Sequence, residues 1–337
     1  MKKLICLCLA VLLMLGCFTA CGSNTPAETT APAVKEPEGE GEVLRILTLG
    51  NSGTVDSCHM LNLVAAAEGY EGELYVGTLY YSGCKLYQHV NFIKSGEKVY
   101  NLYLSSSTTP GNPPQILEAV SMQDALTFQY WDIIILQSTA GEVTDSATFE
   151  DGRIQFIQNY VRENVKNPNF RFAFHHTGVS ASDPELIAMY PYSPNGYAQS
   201  YAKYNNDRLA YYQAALSAFE SHIYTDETFD FIIPSGPALM NVWTSYMTEK
   251  DIHRDYTHTT DFGRVVQSYC YYCRLAGIAQ LEEIKLTSIP KNFLKSTADK
   301  SQDRPLTDME RAIILEAVNN ALANPLEITQ SQYTTAP

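Results

Sequence analysis

The chain has 337 residues, 45% of them hydrophobic, enough for one large α/β domain with a full core. Its formal net charge is −14, from 23 Lys and Arg against 37 Asp and Glu. That balance leaves no basic stripe to displace counterions from a nucleic acid, and excludes adhesion to anionic lipid by charge alone.

Residues 1–21 read as an export signal and not as part of the fold. Lys2 and Lys3 form a positive start, and Leu4 to Leu15 is apolar but too short for a comfortable membrane span. The run Phe18-Thr19-Ala20-Cys21-Gly22-Ser23 resembles a bacterial lipobox. That resemblance implies cleavage before Cys21 and diacylation of its thiol, which anchors a protein to the outer face of a membrane. Cys17 fits less well, because bulky Leu15 precedes its neighbour. Residues 22–42 hold little that can pack and read as a flexible tether. One domain is expected over 43–325, followed by a polar tail, 326–337, expected to fray.

Within the domain, Arg45-Ile-Leu-Thr-Leu-Gly-Asn-Ser52 reads as a buried strand running into a sharp turn. Val55 to Ala67 then carries helical spacing. Glu73 to Tyr81 repeats the pattern as a second strand, ends at Ser82-Gly83-Cys84, and gives way to a helix from Lys85 to Lys94. Val99 to Leu104 is a short strand, an insertion or hairpin edge. Pro114 to Leu126 is expected to be a helix opened by proline. Four apolar residues in Trp131-Asp-Ile-Ile-Ile-Leu-Gln137 predict a central parallel strand covered on both faces. A helix over Thr148 to Val165 follows, then the strand Phe170 to His176, a Tyr-rich helix from Tyr197 to Ile223 and the strand Phe229 to Ile233, closed by Pro234-Ser-Gly236. Asp251 to Thr260 is loop-like, and helices over Phe262–Ala276 and Thr307–Ala323 complete the chain. Alternating strands and helices imply a three-layer α/β/α fold around a mostly five-stranded parallel sheet.

In a parallel sheet Ser52, Gly83, Gln137 and His176 fall along one edge, at the strand ends where α/β sheets keep their chemistry. Asp255-Tyr-Thr-His258 sets a carboxylate and an imidazole three residues apart, so Asp255 can fix the tautomer of His258. A histidine so held can take a proton from Ser52, the nucleophile–base–orienter logic of serine hydrolases. On its own stretch Ser52 fits the plainer role of a helix N-cap better. His253 lacks the Asp-x-x-His spacing. His59, His175 and His176 read as structural, although His175 and His176 end a strand at the active edge. A metal centre from His175, His176, Asp251 and His258 lacks any short-spaced ligand motif. After processing Cys58, Cys84, Cys270 and Cys273 remain. Export permits disulfides among them. Cys270-x-x-Cys273 has no second such pair and reads as two core thiols one turn apart. There is no P-loop and no dinucleotide fingerprint. Most of the 23 tyrosines read as core or helix-surface residues.

Taken in order, Gly50-Asn51-Ser52, Gly83, Gln137 after an apolar strand, and Asp255-x-x-His258 resemble the SGNH (GDSL-like) hydrolases, nearest to a bacterial branch whose first block reads Gly-Asn-Ser. Trp131-Asp132 and Pro234-Ser-Gly236 strengthen the likeness, which spans about residues 44–280, the length of one domain. The resemblance implies a flavodoxin-like SGNH fold, Ser52 as nucleophile, His258 as base and Asp255 as its orienter. It implies oxyanion donors from the Ser52 and Gly83 N–H groups and the Gln137 amide, and no metal or organic cofactor. With the export signal it implies a lipid-anchored esterase on the outer face of a bacterial membrane, acting on acylated carbohydrate or another small ester. Two departures stand against it. Asn51 replaces the usual Asp, and Gln137 replaces the usual Asn with one more methylene. They leave open a catalytically weak or inactive surface lipoprotein that binds glycan or peptide.

Overall fold

A computed structural model describes residues 42–110, 114–189, 201–290 and 303–337. The signal segment, Cys21 and the tether up to residue 41 lie outside the described residues, as does the start of the expected Tyr-rich helix. The strands are β1 (Val43–Gly50), β2 (Glu73–Tyr80), β3 (Tyr100–Ser106), β4 (Gln115–Val120), β5 (Ile133–Gln137), β6 (Arg171–His175) and β7 (Phe231–Ile233). The main helices are α1 (Ser52–Cys58), α2 (Leu61–Glu68), α3 (Leu86–Ser95), α4 (Met122–Phe128), α5 (Arg153–Asn164), α6 (Arg208–Phe219), α7 (Ser235–Trp243), α8 (Asp261–Leu275) and α9 (Asp308–Ala323).

The sheet runs β4-β3-β2-β1-β5-β6-β7. Five strands, β2, β1, β5, β6 and β7, are mutually parallel, as the alternation of elements predicts. β3 and β4 extend the sheet to seven strands as an antiparallel edge. β1 lies between β2 and β5, so successive crossovers leave it in opposite directions. That is the topological switch point of an open α/β sheet, and a crevice opens there at the carboxyl ends of the strands.

Burial on both faces explains the apolar runs. Ile46, Val76, Ile133, Ile135, Ala173 and Ile233 join one core with residues of α2, α7, α8 and α9. Their neighbours in sequence, such as Leu47, Ile134 and Phe174, point to the opposite face. There α3, α4 and α5 pack on one another and Phe174 meets Phe219 of α6. Trp131 is fully buried before β5, its indole N–H donating to Ala125 O at 2.8 Å. Gly77 makes room for it: a Cβ there would lie 2.7 Å from the indole. Asp132 accepts from the Arg45 N–H at 2.8 Å and so ties the start of β5 to β1.

Several elements differ from their predicted form. Gln115 to Val120 is strand, not helix, and the helix starts only where Ser121 and Asp124 form a reciprocal capping box. β4 is an edge strand with few buried residues, so it carries no alternation to read. The helix expected over Val55–Ala67 breaks at His59-Met60 into α1 and α2. The helix expected over Thr148–Val165 breaks at Asp151-Gly152, with Gly152 at φ +79°. Pro234-Ser-Gly236, expected only to close the strand, leads into α7, where Pro237 in the first turn loses no helical hydrogen bond. The final residues, expected to fray, are docked. The Thr329 N–H donates to Asn241 at 2.8 Å, Ser331 bonds Glu316 at 2.5 Å, and the Tyr246 N–H donates to Tyr333 O at 2.9 Å. The four described cysteines are all buried and free. Among the described residues no helix is long and apolar enough to cross a membrane.

Candidate active site

The switch point is where the predicted residues meet. Ser52 opens α1 directly after β1, and the cap is not Ser52 but Asn51, whose side chain accepts the Gly53 N–H at 2.9 Å. The serine is thereby relieved of capping. The same Asn51 donates from Nδ2 to Cys84 O at 3.1 Å. An aspartate has no hydrogen to donate to that carbonyl, so the departure to Asn51 is accounted for by a bond to the neighbouring loop. Gly83 lies in that loop at φ +60°, a left-handed conformation that glycine adopts without strain. Glu142 secures the loop from the other side by accepting the Leu86 N–H at 3.3 Å. Gln137 ends β5 beside β1. Ser52, Gly83 and Gln137 all line one cavity of about 310 Å³.

Asp255 and His258 form the second half. His258 Nδ1 lies 2.8 Å from Asp255 Oδ2, and Asp255 Oδ1 accepts the backbone N–H groups of Thr257 (2.9 Å) and His258 (2.8 Å). Partial burial raises the carboxyl's pKa, but these bonds to His258 and Thr257 prevail and hold it at about 2. Asp255 is therefore ionised and orients the ring with Nδ1 inward. Thr257 and Thr259, on either side of His258, line the same cavity as Ser52.

What joins the two halves is an ion cluster around a buried carboxylate, which the sequence did not announce. Asp56 sits one turn along α1 from Ser52 and is 3% exposed. It meets Arg254 at 3.0 Å and Arg264 at 2.8 Å, and accepts the Thr259 N–H at 3.0 Å. Arg254 also donates to Thr259 O. Burial pushes the Asp56 carboxyl up, yet the charges of Arg264 and Arg254 outweigh it and hold the group below the ordinary carboxylate range. One carboxylate on the serine's helix thus grips the histidine's loop at residues 254 and 259, on both sides of Asp255 and His258. The available signal was spacing. Asp56 lies four residues after Ser52, on the same helical face.

The other histidines are placed differently. His253 lines the cavity wall, but its Nε2 faces the Arg208 guanidinium at 3.2 Å. Burial and the Arg208 charge hold it neutral, with a pKa of about 3. His175 and His176 are fully buried, and burial lowers both to about 3. His176 stacks on Phe219, and its Nδ1 lies 3.1 Å from the Tyr224 hydroxyl. Burial also lowers His59 to about 3. Among the described residues no three His, Cys, Asp or Glu side chains are grouped to hold a metal ion.

A search of the curated proteins returns no match. Among solved structures, a DUF4886 family protein from Bacteroides uniformis ATCC 8492 superposes with a TM-score of 0.69 at 18% identity, over 87% of this chain and 100% of that one. A protein from Slackia heliotrinireducens described as a candidate SGNH hydrolase aligns with a TM-score of 0.39 at 16% identity, over 68% of this chain and 98% of that one. The first likeness is one of fold. The family model for a domain of unknown function, DUF4886, matches residues 45–285, a span holding Ser52, Gly83, Gln137, Asp255 and His258, and the chain belongs to that family.

Proposed function

We propose that the protein is a serine ester hydrolase of the SGNH type, carried outside the cell on a lipid at Cys21 and removing acetyl or other short acyl groups from carbohydrate. The observation that carries this reading is the ionised Asp255 paired with His258, on a loop gripped by the helix that begins with Ser52. Ser52 Oγ attacks the acyl carbonyl carbon as its proton passes to His258 Nε2. The carbonyl electron pair moves to oxygen, which accepts hydrogen bonds from the Ser52 and Gly83 N–H groups and the Gln137 amide. Collapse breaks the bond to the sugar oxygen, and that oxygen takes the proton from His258. Water then attacks the acyl-enzyme by the same route and releases the acid. No cofactor takes part. Carbohydrate is chosen as the acyl carrier from the outer-surface location and the family resemblance.

Gln137, one methylene longer than the asparagine of the resembling family, favours a second reading, a surface lipoprotein that binds glycan or peptide in the same cleft without turnover. The deciding experiment assays short-chain nitrophenyl esters and acetylated oligosaccharides with wild type, Ser52→Ala and His258→Ala. A fluorophosphonate probe follows Ser52 directly. Turnover and labelling lost in both variants support the hydrolase. Equal behaviour of all three proteins, with glycan binding retained, selects the binding protein.

A further inference from the structure

We propose that Thr54 is a positioning residue that locks the Gln137 amide with its NH₂ end turned to the oxyanion side of the cavity. The proposal rests on the ester-hydrolase reading and concerns how this chain works with glutamine where the resembling family uses asparagine.

The two ends of the amide sit in different surroundings. Thr54 is fully buried and its hydroxyl donates to Gln137 Oε1. Gln137 is itself 1% exposed, and its Nε2 holds no hydrogen bond to another described residue. The nitrogen lies against Gly53, immediately after Ser52: a Cβ on Gly53 would stand 2.7 Å from Nε2. The oxygen lies against Gly50, where a Cβ would stand 2.6 Å from Oε1 and 2.0 Å from Thr54 Oγ1. At either position a Cβ would force the amide or the Thr54 hydroxyl out of its place. The two glycines flanking Asn51-Ser52 thus leave a slot for an amide one methylene longer than asparagine's. The slot holds the amide's place but not its direction, because oxygen and NH₂ are nearly the same size. The Thr54 hydroxyl can donate to the oxygen or accept from the NH₂, and in the structure it donates to the oxygen, which leaves the NH₂ end for the cavity side. Turned over, the amide would present oxygen to a developing oxyanion and repel it.

Thr54→Val keeps the shape and removes the hydroxyl. It is expected to lower kcat for ester hydrolysis by about tenfold to a hundredfold, somewhat less than loss of an oxyanion donor, with KM within about twofold of wild type. Thr54→Ser keeps the hydroxyl and is expected to restore kcat to within about threefold. In a Gln137→Ala background, Thr54→Val should add no further loss, because the group it orients is gone. A purely structural role for Thr54 would instead lower activity equally in both backgrounds. Independent of turnover, the Gln137 side-chain ¹⁵N–¹H signals should shift or broaden in Thr54→Val and not in Thr54→Ser. Wild-type kcat in Thr54→Val, equal losses in the two backgrounds, or unchanged amide signals would each overturn the assignment. Failure of the parent reading looks different: wild type and Ser52→Ala would then match on every ester, while the amide signals still report on Thr54.

Discussion

Asn51 is the residue where sequence and structure inform each other most directly. Read alone, it is a departure from the acid that the resembling hydrolases carry. In place, it accepts from Gly53 and donates to Cys84 O, joining the turn that holds Ser52 to the loop that carries Gly83. Asn51→Asp keeps the cap but removes the donor and sets two oxygens face to face in a buried site. The expected cost is about 1–3 kcal/mol of stability, with turnover falling as the Gly83 loop loosens. Urea denaturation beside an ester assay measures both, and an aspartate variant as stable and active as wild type would show that the Cys84 bond is idle. The residues proposed to carry chemistry could be singled out in the sequence because their types are rare and their strand ends are marked by turns. Thr54, Asp56 and Arg254 were not, because a buried polar residue on a helix, as Thr54 and Asp56 are, or an arginine in a loop gives no pattern until its partner, far along the chain, is known.

At the scale of elements, α1 and the 254–260 loop act as one body. Burying the Asp56 carboxylate is worthwhile only while its two guanidinium partners stay matched to it. Asp56→Ala strips Arg254 and Arg264 of their shared acceptor and releases the Thr259 N–H. A loss of about 3–5 kcal/mol in unfolding free energy is expected, since breaking a buried pair costs far more than such pairs contribute when intact. On the hydrolase reading proposed above, ester turnover should fall even in the molecules that stay folded, because Asp255 and His258 ride on the released loop. Unchanged urea midpoints would refute the clamp. Element types were readable wherever a strand was buried on both faces, as in β1 and β5. They were misread at β4, which has almost no buried side, and at α7, whose Ser-Gly-Pro opening has turn composition.

Across the whole molecule the buried histidines set the response to acid. Burial holds His89 at about 4, and His175, His176 and His253 at about 3, all below the ordinary value of 6.5. A depressed folded pKa means that the unfolded chain binds more protons between those values. The stability each histidine contributes is therefore complete above pH 6.5 and is lost as the pH falls below it, by up to about 1.4 kcal/mol per unit for each. Asp255, lowered from 3.8 to about 2, acts only below about pH 4. Thermal melts should thus show a decline between pH 6.5 and 4 that precedes carboxylate titration; a flat profile there would mean these histidines are charged in the fold. The docked tail gives a second whole-molecule test. Ending the chain after Leu326 removes the contacts to Asn241, Thr244 and Glu316 and should cost about 1–3 kcal/mol, visible as a lower melting temperature. A truncated chain that melts like the full one would restore the frayed tail that polarity alone suggested.

The Arg254–Asp56 ion pair spans 198 positions of sequence. During synthesis the amino-terminal half emerges with an acidic group already committed to the interior and nothing yet made to neutralise it. Folding of that half must wait, or proceed with the carboxylate protonated or turned out to water, until the last quarter of the chain arrives. Fragments that stop before residue 254 are for that reason expected to stay protease-sensitive, and the domain to acquire its native form in a single late event.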